Sequence, residues 1–121
     1  MAVVLIIDDS PTELHPFQNM LEKAGFETLV ADSGEEGLKT ARTARPDCIL
    51  MDVVMPGMNG FQATRKLTKD PATADIPVIM ITGKDQETDK IWGMRQGAVE
   101  YLVKPVADQD LVQKIRSVTA D

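Results

Sequence analysis

The sequence holds little that would cross-link the chain, anchor it in a membrane or export it. Its single cysteine, Cys48, has no partner for an internal disulfide and lies within an apolar run that predicts a buried strand. A lone buried thiol fits the reducing cytoplasm. No apolar run approaches the roughly 20 residues that cross a bilayer, and residues 2–7 are too few for a signal peptide. We therefore expect a cytoplasmic protein without membrane insertion.

Basic charge and the nitrogen or sulfur ligands of metals are also scarce. The 13 lysines and arginines are dispersed and outnumbered by 19 acids, for a net charge of −6. This argues against direct binding of nucleic acid, which requires a concentrated basic surface. The only histidine is His15, so the Cys and His ligands of a zinc site are missing. The 121 residues suit one domain with one core, and no repeat or linker divides them.

Short apolar runs rich in β-branched residues alternate with helical patterns along the chain. The runs lie at residues 3–7, 28–31, 48–51, 76–81 and 99–103. Three of them are continuously apolar, which is typical of strands buried on both faces of a parallel sheet. Apolar residues recur at helical spacing between the runs, as at Leu14, Phe17 and Leu21. The alternation predicts an α/β fold, a doubly wound five-stranded parallel sheet with helices on both faces.

The first predicted helix has clear boundary signals and one conflicting residue. Residues 10–13, Ser-Pro-Thr-Glu, have the form of a capping box with proline at the first helical position. Gly25 supplies the stop. Pro16 lies inside this helix and lacks the amide hydrogen that would bond to Thr12, so we expect a kink or a local loosening there.

Reactive side chains follow four of the five predicted strands. Asp8 and Asp9 end the first strand, Asp52 the third, Thr82 the fourth and Lys104 the fifth. Taken singly, each is more simply explained as a loop, cap or turn residue. Ligands of open parallel sheets bind beyond the carboxyl ends of the strands, so residues at these ends converge. Their joint placement therefore favours a functional site.

The chemistry of this set points to a metal and a phosphoryl group. Clustered carboxylates repel one another unless a cation neutralises them, and a few hard oxygen ligands suit Mg²⁺. A carboxylate beside such a metal can attack phosphorus, and Asp52 is the best candidate because its strand is central. Lys104 and Mg²⁺ would stabilise the phosphoryl oxygens, and Thr82 would donate a hydrogen bond to them.

With these residues in view, the chain resembles the response-regulator receiver family, the CheY-like proteins, over essentially its whole length. The matching segments are residues 7–10, 50–60, 79–83 and 97–105. The resemblance implies that a sensor histidine kinase phosphorylates Asp52. It further implies that Asp9, Asp52 and the backbone carbonyl of Val54 bind Mg²⁺, while Asp8 holds a metal-bound water. The Lys104-Pro105 peptide bond is typically cis in this family, against a general background of about 5 to 6%.

The resemblance also implies a switch and a partner surface. Thr82 and Tyr101 would be the switch pair, reshaping a surface of the fourth helix, fifth strand and fifth helix that a protein effector docks. Ile91, Trp92 and Met94 span too wide an arc of the fourth helix for all of them to face the sheet, so one should point outward. We assign these three and Tyr101 to the partner surface; an exposed Trp would anchor it.

Two variable segments, residues 59–70 and 85–93, are similar to stand-alone receivers of type IV pilus signalling and twitching motility. We therefore expect residues 1–121 to form a single receiver domain without an output domain, phosphorylated by a chemotaxis-type kinase. Such a protein is not an enzyme for other substrates; it catalyses only its own phosphorylation and dephosphorylation. The alternatives are a phosphate sink for a shared kinase and a scaffold that is not phosphorylated.

Overall fold

Strands and helices alternate five times in the computed structural model, which describes residues 1–119. The strands are β1 (Val3–Ile7), β2 (Glu27–Ala31), β3 (Cys48–Met51), β4 (Val78–Thr82) and β5 (Glu100–Val103). The helices are α1 (Pro11–Lys23), α2 (Gly34–Ala44), α3 (Gly60–Lys69), α4 (Glu87–Arg95) and α5 (Asp108–Thr119). No helix among residues 1–119 is long and apolar enough to cross a membrane.

All five strands pair in parallel, in the order β2-β1-β3-β4-β5. The chain runs outward from β1 to β2, then returns to β3 on the other side of β1, so the direction of winding reverses between β1 and β3. The register places Leu5 of β1 beside Ile49 of β3, and Ile49 beside Val78 of β4. The predicted doubly wound five-stranded fold is confirmed.

Two apolar cores cover the two faces of the sheet, because successive residues of a strand point to opposite faces. Leu5, Ile49 and Met80 belong to the core that includes residues of α2 and α3. The intervening residues of the same strands join the core beneath α1 and α5, where Leu21 and Leu111 are fully buried. The continuously apolar strands of the sequence are therefore buried on both faces, as predicted.

The boundaries of three strands differ from the sequence prediction, and β2 begins one residue earlier than predicted, at Glu27. β4 begins at Val78 rather than Ile76, since Pro77 has no amide hydrogen to donate to a neighbouring strand. It extends to include Thr82, whose carbonyl oxygen accepts the Lys104 amide hydrogen at 2.8 Å. β5 begins at Glu100, and the side chain of Val99 before it is exposed. After these shifts Thr82 is the last residue of β4, and Lys104 still follows directly after β5.

The predicted capping box of α1 is wrong. Ser10 is the N-cap residue, but its side chain makes no capping hydrogen bond. Its amide hydrogen, which a capping-box glutamate would accept, is bound instead by Asp8 Oδ1 at 2.9 Å. The helix starts with Pro11 as predicted, continues through Pro16, and is followed by Gly25 at φ +97°. A true capping box occurs at α3, between Asn59 and Gln62.

Candidate functional site

Asp8 and Asp52 lie directly after β1 and β3, where the strand order reverses. Such a reversal opens a crevice at the carboxyl edge of the sheet, because the connections on its two sides leave toward opposite faces. Both residues are almost fully buried, at 3% and 6% exposure. Two acids with this burial require compensation from nearby cations or hydrogen bonds.

The backbone around Asp52 is held rigidly by β1 and by the start of α3. The Asp52 amide hydrogen bonds to the carbonyl oxygen of Ile7 at 3.0 Å, and Asp52 Oδ1 accepts the Val53 amide hydrogen at 2.8 Å. Gly60 packs so closely beneath this turn that an added β carbon would overlap the Asp52 carbonyl oxygen. A glycine is therefore required at the first position of α3 to seat the Asp52 backbone.

Lys104 brings the positive charge of the site from the far edge of the sheet. Its Nζ lies 3.9 Å from Asp52 Oδ1 and 3.8 Å from Asp8 Oδ2, and 2.9 Å from Glu13 Oε1. Only the last distance is a hydrogen bond. The Lys104-Pro105 peptide bond is cis. The structure thus joins residues that follow β1, β3 and β5 around one ammonium group.

The acids that converge differ in one member from the predicted set. Oxygens of Asp8, Glu13 and Asp52 all lie within 4.8 Å of one another. The predicted ligand Asp9 is exposed and is not a member of this group. The sequence pattern predicted Glu13 only as a helix cap. The sequence signal that could have assigned Glu13 to the site is its position in the first turn of the helix that follows β1.

The electrostatics of the two buried acids favour a cation. Burial raises the pKa of Asp52 to about 6, with the nearby Asp8 charge adding to the rise and Lys104 opposing it. Burial likewise raises the pKa of Asp8, while the Ser10 hydrogen bond and Lys104 lower it. The single ammonium group of Lys104 does not balance the negative charges of ionised Asp8 and Asp52. An all-oxygen donor set with excess negative charge fits Mg²⁺, which prefers carboxylate and water ligands.

Thr82 and Tyr101 are linked through one loop residue. The buried Thr82 accepts the Lys84 amide hydrogen on its Oγ1 at 3.3 Å. The Tyr101 hydroxyl donates to the Lys84 carbonyl oxygen at 2.9 Å. Burial raises the pKa of the Tyr101 hydroxyl to about 12, which keeps it a donor. The Lys84 backbone therefore connects the Thr82 and Tyr101 side chains.

Tyr101, which the sequence assigned to the partner surface, is buried, with only 6% of the residue accessible. Its ring packs against α4, where a β carbon added at Gly93 would lie 2.8 Å from Tyr101 Cδ2 and 2.7 Å from Met80 Sδ. The helix approaches the sheet through this glycine. Tyr101 thus lies beneath the predicted partner surface rather than on it.

The other three residues of that surface are all exposed. Ile91, Trp92 and Met94 have accessible fractions of 46%, 50% and 41%, where the sequence analysis expected one outward side chain. The reason is that α4 contributes only Gly93 to the buried residues, so its larger side chains flank the contact. Val103 of β5 is also exposed, at 40%. Together these four side chains are called the α4–β5 apolar surface below.

Comparison with known proteins gives the same assignment as the geometry. Residues 4–116 match the family model described as response regulator receiver domain. The chain is 58% identical over 120 residues to Protein PilH of Pseudomonas aeruginosa, covering 99% of each. It is 40% identical over 118 residues to the response regulator PleD of Caulobacter vibrioides, covering 98% of this chain but 26% of PleD.

Solved structures agree over nearly the full length. The chemotaxis protein CheY4 of Vibrio cholerae superimposes with a TM-score of 0.91 at 34% identity, covering 98% of each chain. A response regulator described as putative, from Chloroflexus aurantiacus, gives a TM-score of 0.94 at 33% identity, covering 99% of this chain and 98% of that one. The sheet order, the acids at its reversal and these similarities lead to one conclusion: the chain belongs to the response regulator receiver domain family.

Proposed function

We propose that this domain accepts a phosphoryl group from a histidine kinase on Asp52 and, once phosphorylated, binds a protein effector. The observation that carries the proposal is the setting of Asp52, buried at the sheet reversal between the Asp8 carboxylate and the Lys104 ammonium. The family supports the donor, because receiver domains take phosphoryl groups from histidine kinases. Asp52 has the required nucleophilic group in a site that excludes most water.

The transfer is a substitution at phosphorus. A carboxylate oxygen of Asp52 forms a bond to phosphorus as the bond between phosphorus and the donor's histidine nitrogen breaks. The electron pair of that bond stays on the imidazole, which takes up a proton from solvent. Lys104 stabilises the phosphoryl oxygens by its positive charge, and Thr82 donates its hydroxyl hydrogen to one of them.

The donor atoms suit Mg²⁺, as receiver domains bind this ion at an acidic pocket. Asp8 and Asp52 supply carboxylate oxygens, and we retain Asp9 and the Val54 carbonyl as proposed ligands. When bound, the ion neutralises the carboxylates and supplies positive charge to the phosphoryl oxygens. The raised pKa values of Asp8 and Asp52 support this, since they reflect buried negative charge that a cation would relieve.

Signal output follows from the contacts of Lys84. When Thr82 turns its hydroxyl toward the phosphoryl group, it releases the Lys84 amide hydrogen, and the loop that holds Tyr101 rearranges. Tyr101 packs against Gly93 of α4, so the change reaches the α4–β5 apolar surface. An effector that covers Trp92 and its neighbours would read this change, because exposed aromatic side chains are frequent anchors of interfaces.

The pathway we propose is type IV pilus twitching motility, with a chemotaxis-type kinase as the donor. It is supported by the 58% identity to PilH over 99% of both chains. The cytoplasm is the compartment we propose, since the single cysteine is buried and unpaired.

Labelling with a small phosphodonor tests the acceptor. We expect radioactive acetyl phosphate to label the wild type in Mg²⁺ and not in EDTA, and the Asp52→Asn variant in neither. Asp32→Asn is the matched control, because Asp32 is an exposed acid that follows β2 at the same sheet edge. Mg²⁺-dependent labelling retained in Asp52→Asn would contradict the assignment. Loss of label within seconds would favour a phosphate sink, and a lifetime of minutes would favour the switch.

A further inference from the structure

Glu13 occupies a place in the site that its sequence setting does not predict. A capping-box glutamate would accept the Ser10 amide hydrogen, but Asp8 Oδ1 already accepts it at 2.9 Å. The Glu13 carboxylate therefore has no cap to complete, and it accepts a hydrogen bond from Lys104 Nζ at 2.9 Å. Because Asp8 already accepts the Ser10 amide hydrogen, the Glu13 carboxylate bonds to Lys104 instead.

Glu13 has the stronger hold on Lys104 in this conformation. The ammonium is hydrogen-bonded to Glu13, whereas Asp8 and Asp52 stand 3.8 and 3.9 Å away. One helical turn after Glu13, the ring of Phe17 lies 5.9 Å from Lys104 Nζ, within cation-π range. Two side chains of α1 thus contact the ammonium, while the Asp52 carboxylate lies beyond hydrogen-bond distance of it.

A phosphoryl group on Asp52 would compete with Glu13 for the same ammonium. It brings a charge of about −1.5 to −2 at neutral pH. The Glu13 carboxylate lies within 4.8 Å of an Asp52 carboxylate oxygen and adds negative charge where the phosphoryl group must arrive. Since like charges at this separation repel, acceptance requires Lys104 to loosen its bond to Glu13 and the repulsion to be overcome.

We propose that Glu13 is a positioning residue that holds Lys104 away from Asp52 in the unphosphorylated domain and thereby slows phosphoryl acceptance. The inference rests on the proposed function, because it concerns the rate of that same transfer. Glu13 does not contact the reacting atoms; it acts through Lys104. The domain would therefore be labelled by small phosphodonors more slowly than it would be without Glu13, and a kinase that displaces Glu13 on docking would phosphorylate it faster.

Replacing Glu13 by Gln removes the charge and keeps the shape. We expect Glu13→Gln to be labelled by acetyl phosphate roughly three- to fivefold faster than the wild type, the range expected for an ion pair with one exposed partner. Glu22→Gln is the control, because it removes the same charge from an acid at the far end of α1. Its rate should equal that of the wild type.

A second donor separates an electrostatic role from a structural one. Acetyl phosphate carries two negative charges at neutral pH and phosphoramidate carries one, so repulsion by Glu13 acts more strongly on the first. The rate gain of Glu13→Gln should therefore be larger with acetyl phosphate than with phosphoramidate. A gain that is equal for both donors would overturn the electrostatic role.

The remaining outcomes distinguish this inference from the proposed function. Equal rates for the wild type and Glu13→Gln, with labelling still dependent on Asp52, would overturn the inference alone. Slower labelling of Glu13→Gln, restored by higher Mg²⁺ concentration, would also overturn it and assign Glu13 to the metal. A wild type that neither donor labels would contradict the proposed function itself, whatever the variants do.

Discussion

The sheet reversal buries charged side chains, whereas helix α4 exposes apolar ones. At the reversal, Asp8 and Asp52 are carboxylates with 3% and 6% exposure. On α4, Trp92 is an aromatic side chain with half of its surface exposed. Burial of charge and exposure of apolar surface both destabilise a domain, so both arrangements need a reason beyond folding. In the proposed function, phosphoryl transfer accounts for the buried acids and effector binding for the exposed Trp92.

A short physical connection joins the two regions. Thr82 ends β4 at the edge where the acids lie, Tyr101 lies beneath α4, and both bond to Lys84. In the proposed function, the buried acids accept the phosphoryl group and the exposed helix binds the effector, so the signal needs both regions. The comparison therefore predicts that changes at the reversal affect both chemistry and stability, whereas changes on α4 affect binding without affecting stability.

At the sheet reversal, the largest loss of stability is expected from Gly60→Ala. The added methyl group would overlap the Asp52 carbonyl oxygen, so the turn that seats Asp52 must shift. Overpacking against backbone typically costs about 3 kcal/mol, and we expect the free energy of unfolding in urea to fall by that amount. Gly83→Ala is the control, because open space surrounds that glycine. Equal stability of the two variants would show that the turn adapts freely.

A change of intermediate size is expected from pH in metal-free buffer. Burial raises the pKa of Asp52 from 3.8 to about 6, so the folded state binds the proton more tightly than the unfolded state does. The stability that protonation of Asp52 contributes is therefore fully present below about pH 4 and is lost as the pH rises through about 6. Asp52→Asn lacks this penalty. At pH 7 in EDTA, it should be more stable than the wild type by on the order of 2 kcal/mol.

Urea unfolding of both proteins from pH 3.5 to pH 7.5 checks this prediction. The two curves should converge at the acidic end, where Asp52 is protonated in both states. Addition of Mg²⁺ at pH 7 should stabilise the wild type more than Asp52→Asn, since the ion compensates the carboxylate. A wild type that is more stable than the variant throughout would mean that the Lys104 attraction outweighs burial.

The smallest effect on stability is expected from Trp92→Ala. The side chain is half exposed, so its removal should change the free energy of unfolding by less than about 0.5 kcal/mol. The matched core variant is Leu111→Ala on α5, where the side chain is fully buried and the loss should be about 2 to 5 kcal/mol. A loss above 1 kcal/mol for Trp92→Ala would show that the indole supports the fold rather than a partner.

The sequence predicted most of the fold and part of the site. Continuously apolar strands and helical spacing implied the doubly wound sheet, and the strand ends identified Asp8, Asp52, Thr82 and Lys104. These are regular consequences of periodicity and of parallel topology. The prediction was weaker for residues in the first turn after a strand. The pattern predicted Glu13 as a cap, because sequence spacing does not show that Asp8 accepts the same amide hydrogen.

The sequence by itself determined the architecture and the residue types that meet at the sheet edge, because both follow from local patterns repeated along the chain. Tertiary structure decided which acids face Lys104, that Tyr101 is covered by α4, and that Trp92 is not. These outcomes depend on side chains far apart in sequence; the hydrogen bond between Lys104 and Glu13 spans 91 positions. Short-range pattern cannot rank such contacts, since their geometry exists only once the sheet has assembled.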